Sequence, residues 1–299
     1  MIVKQISAQD SGLRIDRWFK INHPEYPFTI VAKLARKGKI KVNGKKANIY
    51  DRVIEGQEIK FFEVKLEQKE ANNVPDILKY KNFADAFYKK HLIFCDEHIT
   101  VINKPVAAAC QGGSGISVGI DTLAKFWDKQ PVLVHRLDKE TSGVLVMANN
   151  RVIAKELSAL FSSQQIKKDY LAVLKGHIVK KSIDTPVLDN GKYKHAITNY
   201  ELLELSDLGY SLVIVSPMTG RKHQIRIHSA ALGSPVVGDD KHGISSSNDV
   251  SMMLHSYRLR FELLGNNYSF YAELSDIFKD DLRKLGFKKI PISDTLQLL

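Results

Sequence analysis

The sequence predicts an α+β protein in two parts. Residues 1–65 form a small basic α/β module, residues 66–82 a polar linker, and residues 83–299 a larger domain on a mainly antiparallel sheet. Three observations carry this reading. Helix-period and strand-period segments are interspersed along the later chain without regular βαβ alternation. Positive charge is concentrated at the front, where residues 1–60 hold 13 Lys and Arg against 6 Asp and Glu, so one fifth of the 299 residues carries seven of the eleven surplus charges. Between Leu66 and Asn82, "LEQKEANNVPDILKYKN" is polar, contains Pro75 and shows weak periodicity.

In the first module, "SGLRIDRWFKIN" spaces Ile15, Trp18 and Phe19 as one face of a helix, with Ser11 as N-cap. "FTIVAKLARKG" gives a second helix, capped by Thr29, with Val31, Leu34 and Ala35 inside and Gly38 at the C′ position. "IKVNGKKA" alternates around Asn43-Gly44, a tight-turn signal for a hairpin. Lys33, Arg36 and Lys37 fall opposite the apolar helix face, and Lys39, Lys41, Lys45 and Lys46 extend the patch into the hairpin. With Arg14 and Arg17 they make a surface suited to phosphates. Taken alone, such a run reads as a solvated helix face.

Over residues 12–62 this arrangement, with "RIDRWF" and "LARKGKIKVNGK", resembles the RNA-binding domain first described in ribosomal protein S-four. The resemblance implies a partner in structured RNA. The net charge of +11 also points to nucleic acid or another polyanion.

Composition narrows the remaining classes. With 44% hydrophobic and 26% charged residues the chain fits a soluble globular protein, and no apolar run approaches the ~18 residues of a membrane span. The first residues lack a secretory pattern, and Cys95 and Cys110 give no disulfide framework, so a cytoplasmic location is expected; a monomer is a separate expectation. Gly113, Gly115 and Gly119 miss the dinucleotide-binding spacing, which argues against a nucleotide cofactor. Cys95 and His98 are too few for zinc, so no metal is expected.

The larger domain reads in order as follows. "HLIFCDEHITVINKP" is a hairpin around "DEH". Asn150 to Lys167 is a helix with Ile153, Leu157, Leu160 and Phe161 as its core stripe. "KKDYLAVLKGHI" is a strand with Tyr170, Ala172 and Leu174 on one face. "YSLVIVSPMTGRKHQIRIHSAALG" is a strand, a Thr-Gly turn and a short helix ending near Gly233. "MMLHSYRLRFELLGNNYSFYAEL" is two strands joined by an Asn-rich turn.

One segment stands apart from this scaffold. In "PVLVHRLDKETSGVLVMAN", residues 131–149, two strand-like runs enclose His135, Arg136, Asp138, Lys139 and Glu140. An isolated HRLD reads as a polar turn with a surface ion pair. The wider pattern changes that reading. "HRLDKETSG" (135–143), "KKDYLAVLKG" (167–176) and "TGRKHQIRIHSAALGSPVVGD" (219–239) resemble, in order, three motifs of the RluA-type family of RNA pseudouridine synthases. "DEHITVINKP" (96–105) adds the leading motif and "LHSYRL" (254–259) the late strand. The chain departs from its relatives at "VAAACQGG", where they usually carry a Gly-Leu pair. With the N-terminal module in place, the likeness is greatest to the RluC type, which modifies large-subunit ribosomal RNA.

The resemblance implies the pseudouridine synthase fold, a mixed sheet flanked by helices, and a chemistry without cofactor. The uridine glycosidic bond breaks at nitrogen, the base turns, and the bond re-forms at a ring carbon, with no redox step and no net hydrolysis. It places the catalytic aspartate at Asp138, whose carboxylate attacks the anomeric carbon or assists departure of the base. It pairs that aspartate with Arg226, which helical spacing sets on one face with Lys222 and Ser229. It makes Tyr170 the active-site tyrosine, stacking on the flipped uracil and serving proton transfer. It gives Arg136 the task of filling the vacancy left by the flipped base. His135, Thr141, Arg221 and Lys222 are expected around the substrate, Arg221 and Lys222 as phosphate contacts. His135, His223 and His228 are expected to hold the motif loops by hydrogen bonds.

Two other classes fit parts of the sequence. A non-catalytic RNA-binding protein explains the charge without requiring Asp138, Tyr170 and Arg226 together. A hydrolase using Asp138 with His135 or Glu140 explains the carboxylates without needing the basic module.

Overall fold

A computed structural model of the chain describes residues 1–63, 81–112, 118–189, 191–243 and 250–288. The chain divides into two compact units, Met1–Val74 and Pro75–Leu299. Most of the expected linker, and Gly113 and Gly115, lie outside the described residues.

The first unit is an antiparallel sheet of four strands with two helices. Strands β1 (Ile2–Gln5), β4 (Glu58–Phe61), β2 (Ile40–Val42) and β3 (Lys45–Lys46) lie in that spatial order. Helices α1 (Ile15–Asn22) and α2 (Phe28–Arg36) bury the faces that their periodicity marks, Ile15, Trp18 and Phe19 on one and Val31, Leu34 and Ala35 on the other. Phe61 on the central strand meets Phe19 edge-to-face at 4.8 Å. Gly38 lies just past α2 with φ +67°, and Asn43-Gly44 turns the β2–β3 hairpin with φ +47° and +78°. The caps differ from expectation. Ser11 is not the N-cap of α1, because its hydroxyl accepts the Glu55 N–H at 3.2 Å; Arg14 takes that place. Pro27, with φ −57°, starts α2 ahead of Thr29, since its ring pre-sets the helical φ.

The second unit is a ten-stranded mixed sheet with helices. Its first described element is α3 (Lys81–His91), so the last two residues of the expected linker are helical. The hairpin of β5 (Leu92–Cys95) and β6 (Ile99–Lys104) forms around Asp96, whose carboxylate accepts the N–H groups of His98 and Ile99 at 2.7 Å. After the short α4 (Ile120–Leu123) come β7 (Val132–Leu133) and β8 (Ser142–Ala148), all seven residues of β8 being buried. Helix α5 (Arg151–Ser162) is capped by the Asn150 side chain and stops five residues short of the expected Lys167, where Gln164 takes φ +61° and a new strand begins.

That strand is β9 (Lys167–Lys175), followed by β10 (Ser182–Asp184), a separate hairpin of β11 (Val187–Asp189) and β12 (Lys192–Lys194), then β13 (Ile197–Leu205) and β14 (Tyr210–Pro217). Helix α6 (Gln224–Ala231), strands β15 (Leu254–Leu263) and β16 (Asn266–Tyr271), and α7 (Asp276–Lys284) complete the unit. The β15–β16 turn is Leu264-Gly265, with φ +51° and +78°; the asparagines instead open β16.

The main path of the sheet runs β10-β13-β14-β9-β15-β8-β6-β5, with β7 beside β8 and β16 beside β15. Its pairings are antiparallel except between β15 and β8. Strand β9 has both faces covered: Ala172 and Leu174 enter one apolar cluster, Leu171 and Val173 another. The parallel seam brings the chain's motifs together, for Ser256 on β15 stands opposite Gly143 on one side and Tyr170 on the other. Gly143 has φ +109°, and a Cβ there would collide with the Ser256 backbone, so only glycine lets the strands approach.

Candidate active site

Asp138 lies in the loop between β7 and β8, and the loop is fixed before the carboxylate is considered. Thr141 N–H donates to the Asp138 carbonyl at 3.1 Å, closing a turn. His135 Nε2 accepts the Val146 N–H at 3.0 Å while its ring stacks on Phe161 at 4.4 Å. Burial, with help from the Lys168 charge, pushes the His135 pKa down to about 3, so it is neutral at physiological pH. Cys110 pairs with the backbone of Leu137.

Lys104, at the end of β6, is fully buried beneath this loop. Its ammonium donates to the carbonyls of Pro105, Ala108 and Lys139 at 3.0, 2.7 and 3.1 Å. Burial pushes its pKa down to about 8, against the opposing charges of Cys110, Glu140 and Asp138. Ala107, in the segment that departs from the family pattern, takes φ +66°, a conformation that glycine adopts without strain. Lys104→Met strands three carbonyls, and the expected loss of stability is about 3 kcal/mol. Urea unfolding checks this: the midpoint falls while the slope is unchanged.

Arg226 approaches from α6. Its side chain is buried and forks onto Asp239, Nε to Oδ2 at 2.7 Å and Nη2 to Oδ1 at 2.6 Å, leaving Nη1 to donate to Asp138 Oδ2 at 3.2 Å. Burial alone would raise the Asp239 carboxyl, but the Arg226 fork and the N–H groups of His242 and Lys241 outweigh it and hold the pKa below the usual carboxylate range. The guanidinium is thus oriented by one carboxylate and presented to another. Asp138 keeps 22% of its side chain exposed, facing the cleft. Lys222 does not share a helical face with Arg226, because α6 begins only at Gln224. His223, expected to hold a loop, pairs through Nδ1 with His242 in the loop after α6 at 2.9 Å and also turns Nε2 toward Asp138 Oδ1 at 3.5 Å. His228 does bridge Thr198 and the Thr185 carbonyl.

Tyr170, half-buried on β9, lines the cleft. Burial pushes its hydroxyl up to about 12, a hydrogen bond with Ser256 opposing and the Asp138 and Cys110 charges adding to the rise. The cleft measures about 530 Å³, ample for one nucleotide base, and Asp138, Tyr170, Arg226, His135, Arg136 and Thr141 all line it. Arg136 and Lys222 are exposed on its rim, and Arg221 is tied by Nε to the His195 carbonyl at 3.0 Å. Lys168 adds a cation inside the cleft, donating to the Thr219 carbonyl at 3.4 Å. Among the described residues no group of three His, Cys, Asp or Glu side chains could hold a metal ion.

In the first unit, Arg17, Lys33, Arg36, Lys37, Lys39, Lys41, Lys45 and Lys46 are exposed. Arg14 is partly engaged, bridging to Asp16 at 2.6 Å and lying over the Tyr50 ring at 4.6 Å.

The chain as a whole has relatives among known proteins. Residues 98–231 match the family model of RNA pseudouridylate synthase. The chain is 35% identical over 291 residues to "Ribosomal large subunit pseudouridine synthase C" of Rickettsia bellii, covering 89% of this chain and 95% of that protein. The chain belongs to the RNA pseudouridine synthase family. The protein of the same name from Escherichia coli K12 is 33% identical over 262 residues, covering 80% and 78% of the two chains. Human RNA Pseudouridylate Synthase Domain Containing 4 superposes with a TM-score of 0.60 at 26% identity, covering 70% of this chain and 97% of its own. The synthase is therefore an isomerase acting on RNA, and its mixed sheet is the family's fold.

Asp138, Tyr170, Arg226, Arg136, His135, Thr141, Arg221 and Lys222, the residues that the motifs single out, meet in one cleft of the synthase. Asp239, Lys104 and Lys168 are not among them, although each stands inside a quoted motif. A buried arginine demands a carboxylate partner, and that demand is the available signal for Asp239.

Proposed function

We propose that this synthase converts uridines of large-subunit ribosomal RNA to pseudouridine in the cytoplasm, with Asp138 as nucleophile and without a cofactor. The observation that carries the reading is the Asp138 carboxylate, open to a base-sized cleft and held at one oxygen by a guanidinium that is itself locked by Asp239. The names of the relatives support the choice of RNA.

The carboxylate attacks C1′ of a flipped uridine, the bond to N1 breaks, and uracil leaves with the electron pair while the ribose is held as an ester of Asp138. The base turns, C5 attacks C1′ and displaces the carboxylate, the proton leaves C5, and N1 gains one. Nothing is oxidised, reduced or hydrolysed overall, so the balance needs no co-reactant. Arg136, exposed on the rim, fills the gap in the RNA stack; Lys168, Arg221 and Lys222 meet phosphates. Incubating the synthase with ribosomal RNA and analysing nucleosides tests the reading: pseudouridine is expected, whereas unchanged RNA or released uracil would refute it.

Tyr170 stacks on the uracil, and its hydroxyl, un-ionised at neutral pH, acts as hydrogen-bond donor and proton carrier rather than as a resident phenolate. Tyr170→Phe is expected to keep RNA affinity within about threefold and to lower the single-turnover rate by roughly 10² or more. The wild-type rate is expected not to climb tenfold per pH unit above pH 8, as it would if a phenolate with a pKa of about 12 were the working base. Pre-steady-state mixing across pH measures both.

The first unit resembles an S-four-type module and supplies phosphate contacts. Replacing Lys33, Arg36 and Lys37 together by Ala should reduce the slope of log affinity against log salt by roughly one unit for each phosphate no longer neutralised, leaving turnover at saturating RNA within about tenfold. Filter binding over a salt series reads the slope.

A further inference from the structure

Behind Asp138, on the side away from Arg226's donor, stands a pair of histidines. His223 Nδ1 lies 2.9 Å from His242 Nε2, and the two rings meet nearly at right angles, 5.0 Å between centroids. The other ring nitrogen of His223, Nε2, faces Asp138 Oδ1 at 3.5 Å. Both residues are held in place by the backbone. His223 is the N-cap of α6 with φ +55° and ψ +22°, a left-handed conformation that a residue with a Cβ adopts at a cost, and its side chain makes no capping bond to the helix. His242 sits in a tight turn wound on the Asp239 carboxylate, which accepts the N–H groups of Lys241 and His242 at 3.0 Å; the turn is closed by Gly243 N–H to the Asp239 carbonyl at 2.8 Å. The same carboxylate that orients Arg226 therefore positions His242.

The chemistry of two neutral imidazoles makes this chain directional. In a neutral histidine one ring nitrogen donates and the other accepts. If His223 donated from Nδ1, its bare Nε2 lone pair would face the Asp138 carboxylate. If His242 donates from Nε2, His223 must accept at Nδ1 and carry its proton on Nε2, toward Asp138. We propose that His242 is a positioning residue of the isomerisation, fixing through His223 the tautomer that presents an N–H to Asp138 Oδ1. The proposal rests on the reading of Asp138 as nucleophile.

The charges around the pair are Arg226 and Lys241 on one hand and Asp138 and Asp239 on the other. Burial first, then the two cations, hold both imidazoles below their ordinary pKa in spite of the carboxylates, which keeps the pair neutral at physiological pH. The two oxygens of Asp138 then have different neighbours, Oδ2 accepting from a charged donor at 3.2 Å and Oδ1 facing a neutral ring nitrogen at 3.5 Å. The neutral donor orients the carboxylate without cancelling its charge, so Oδ1 remains the better nucleophile.

The test compares the full-length wild type, His242→Phe, His242→Gln and Asp138→Asn. Long-range ¹⁵N spectra of the wild-type histidines at pH 8 should show both His223 and His242 protonated on Nε2. His242→Phe cannot donate, and its single-turnover rate should fall about tenfold with RNA affinity unchanged. His242→Gln offers an amide N–H in the same direction and should recover to within about threefold of wild type. His223 found protonated on Nδ1, a normal rate in folded His242→Phe, or equal loss in the Phe and Gln variants would each overturn the proposal. If His242→Phe fails to fold, the wild-type tautomers and the Gln variant decide. An inactive Asp138→Asn with an unaffected His242→Phe sinks this inference alone, whereas an active Asp138→Asn sinks the nucleophile and the inference with it.

Discussion

Asp138→Asn is expected to lower the single-turnover rate by about 10⁴-fold or more while RNA affinity changes by less than about threefold. The substitution keeps volume and shape, so the β7–β8 loop, pinned by Lys104, Cys110 and His135, has no reason to move. The amide oxygen still accepts from Arg226 Nη1, and the amide N–H₂ turns toward His223, which accepts it once both histidines of the pair carry their proton on Nδ1. The variant lacks the negative charge that forms the bond to C1′ or shields the positive charge there. Single-turnover conversion and filter binding separate the two effects, and melting temperature shows that the fold is kept.

Arg226→Met is the second large effect, and it acts on stability as well as on rate. The side chains of Arg226 and Asp239 are only 6% and 1% exposed. Removing the guanidinium leaves a buried carboxylate with the N–H groups of Lys241 and His242 as its remaining partners, and breaking such a pair on one side costs about 3–5 kcal/mol. In a unit of this size each kcal/mol moves the melting temperature by roughly 2–4 °C, so a fall of about 6–20 °C is expected at pH 7. The sign of the pH dependence follows from the depressed Asp239 carboxyl. Its contribution is fully present above the ordinary carboxylate pKa and fades as pH falls through the lower folded value, so the deficit of the variant should shrink in acid. Calorimetry at several pH values measures it. Turnover also falls, because Asp138 loses its charged donor. Arg226→Lys keeps the charge but cannot reach both carboxylates with a fork, and should fall between the two.

The parts legible in the sequence are those whose residues announce themselves locally. Ile15, Trp18 and Phe19 mark α1 by spacing, Asn43-Gly44 marks a turn, and the paired apolar runs around Asp138 mark strands whose loop must carry something other than packing. Strand β9 is readable from its short apolar run, although the expected alternation gives way to burial on both faces, Leu171 to Leu174 all being buried. What escapes is decided at long range. Asp239 lies thirteen residues beyond Arg226, past the end of α6, and no periodicity links them. Helix α7 escapes because its acidic and basic residues hide a narrow stripe of Phe278 and Leu282. Ser11 has the chemistry of a cap, but Glu55, forty-four residues on, claims its hydroxyl. The Asn pair after Leu264-Gly265 mimics a turn because asparagine favours turns, yet the ladder with β15 pairs Asn266 with Leu263 and puts both asparagines in β16.

Whether this cleft isomerises uridine in ribosomal RNA through Asp138 is decided by mapping pseudouridine in large-subunit RNA from cells lacking the protein. Complementation with wild type and with Asp138→Asn completes the comparison. Specific pseudouridines are expected to disappear in the deletion, return with the wild-type chain, and stay absent with Asp138→Asn expressed to the same level. An unchanged modification map in the deletion would exclude ribosomal RNA as the substrate, and full restoration by Asp138→Asn would exclude the carboxylate as the nucleophile.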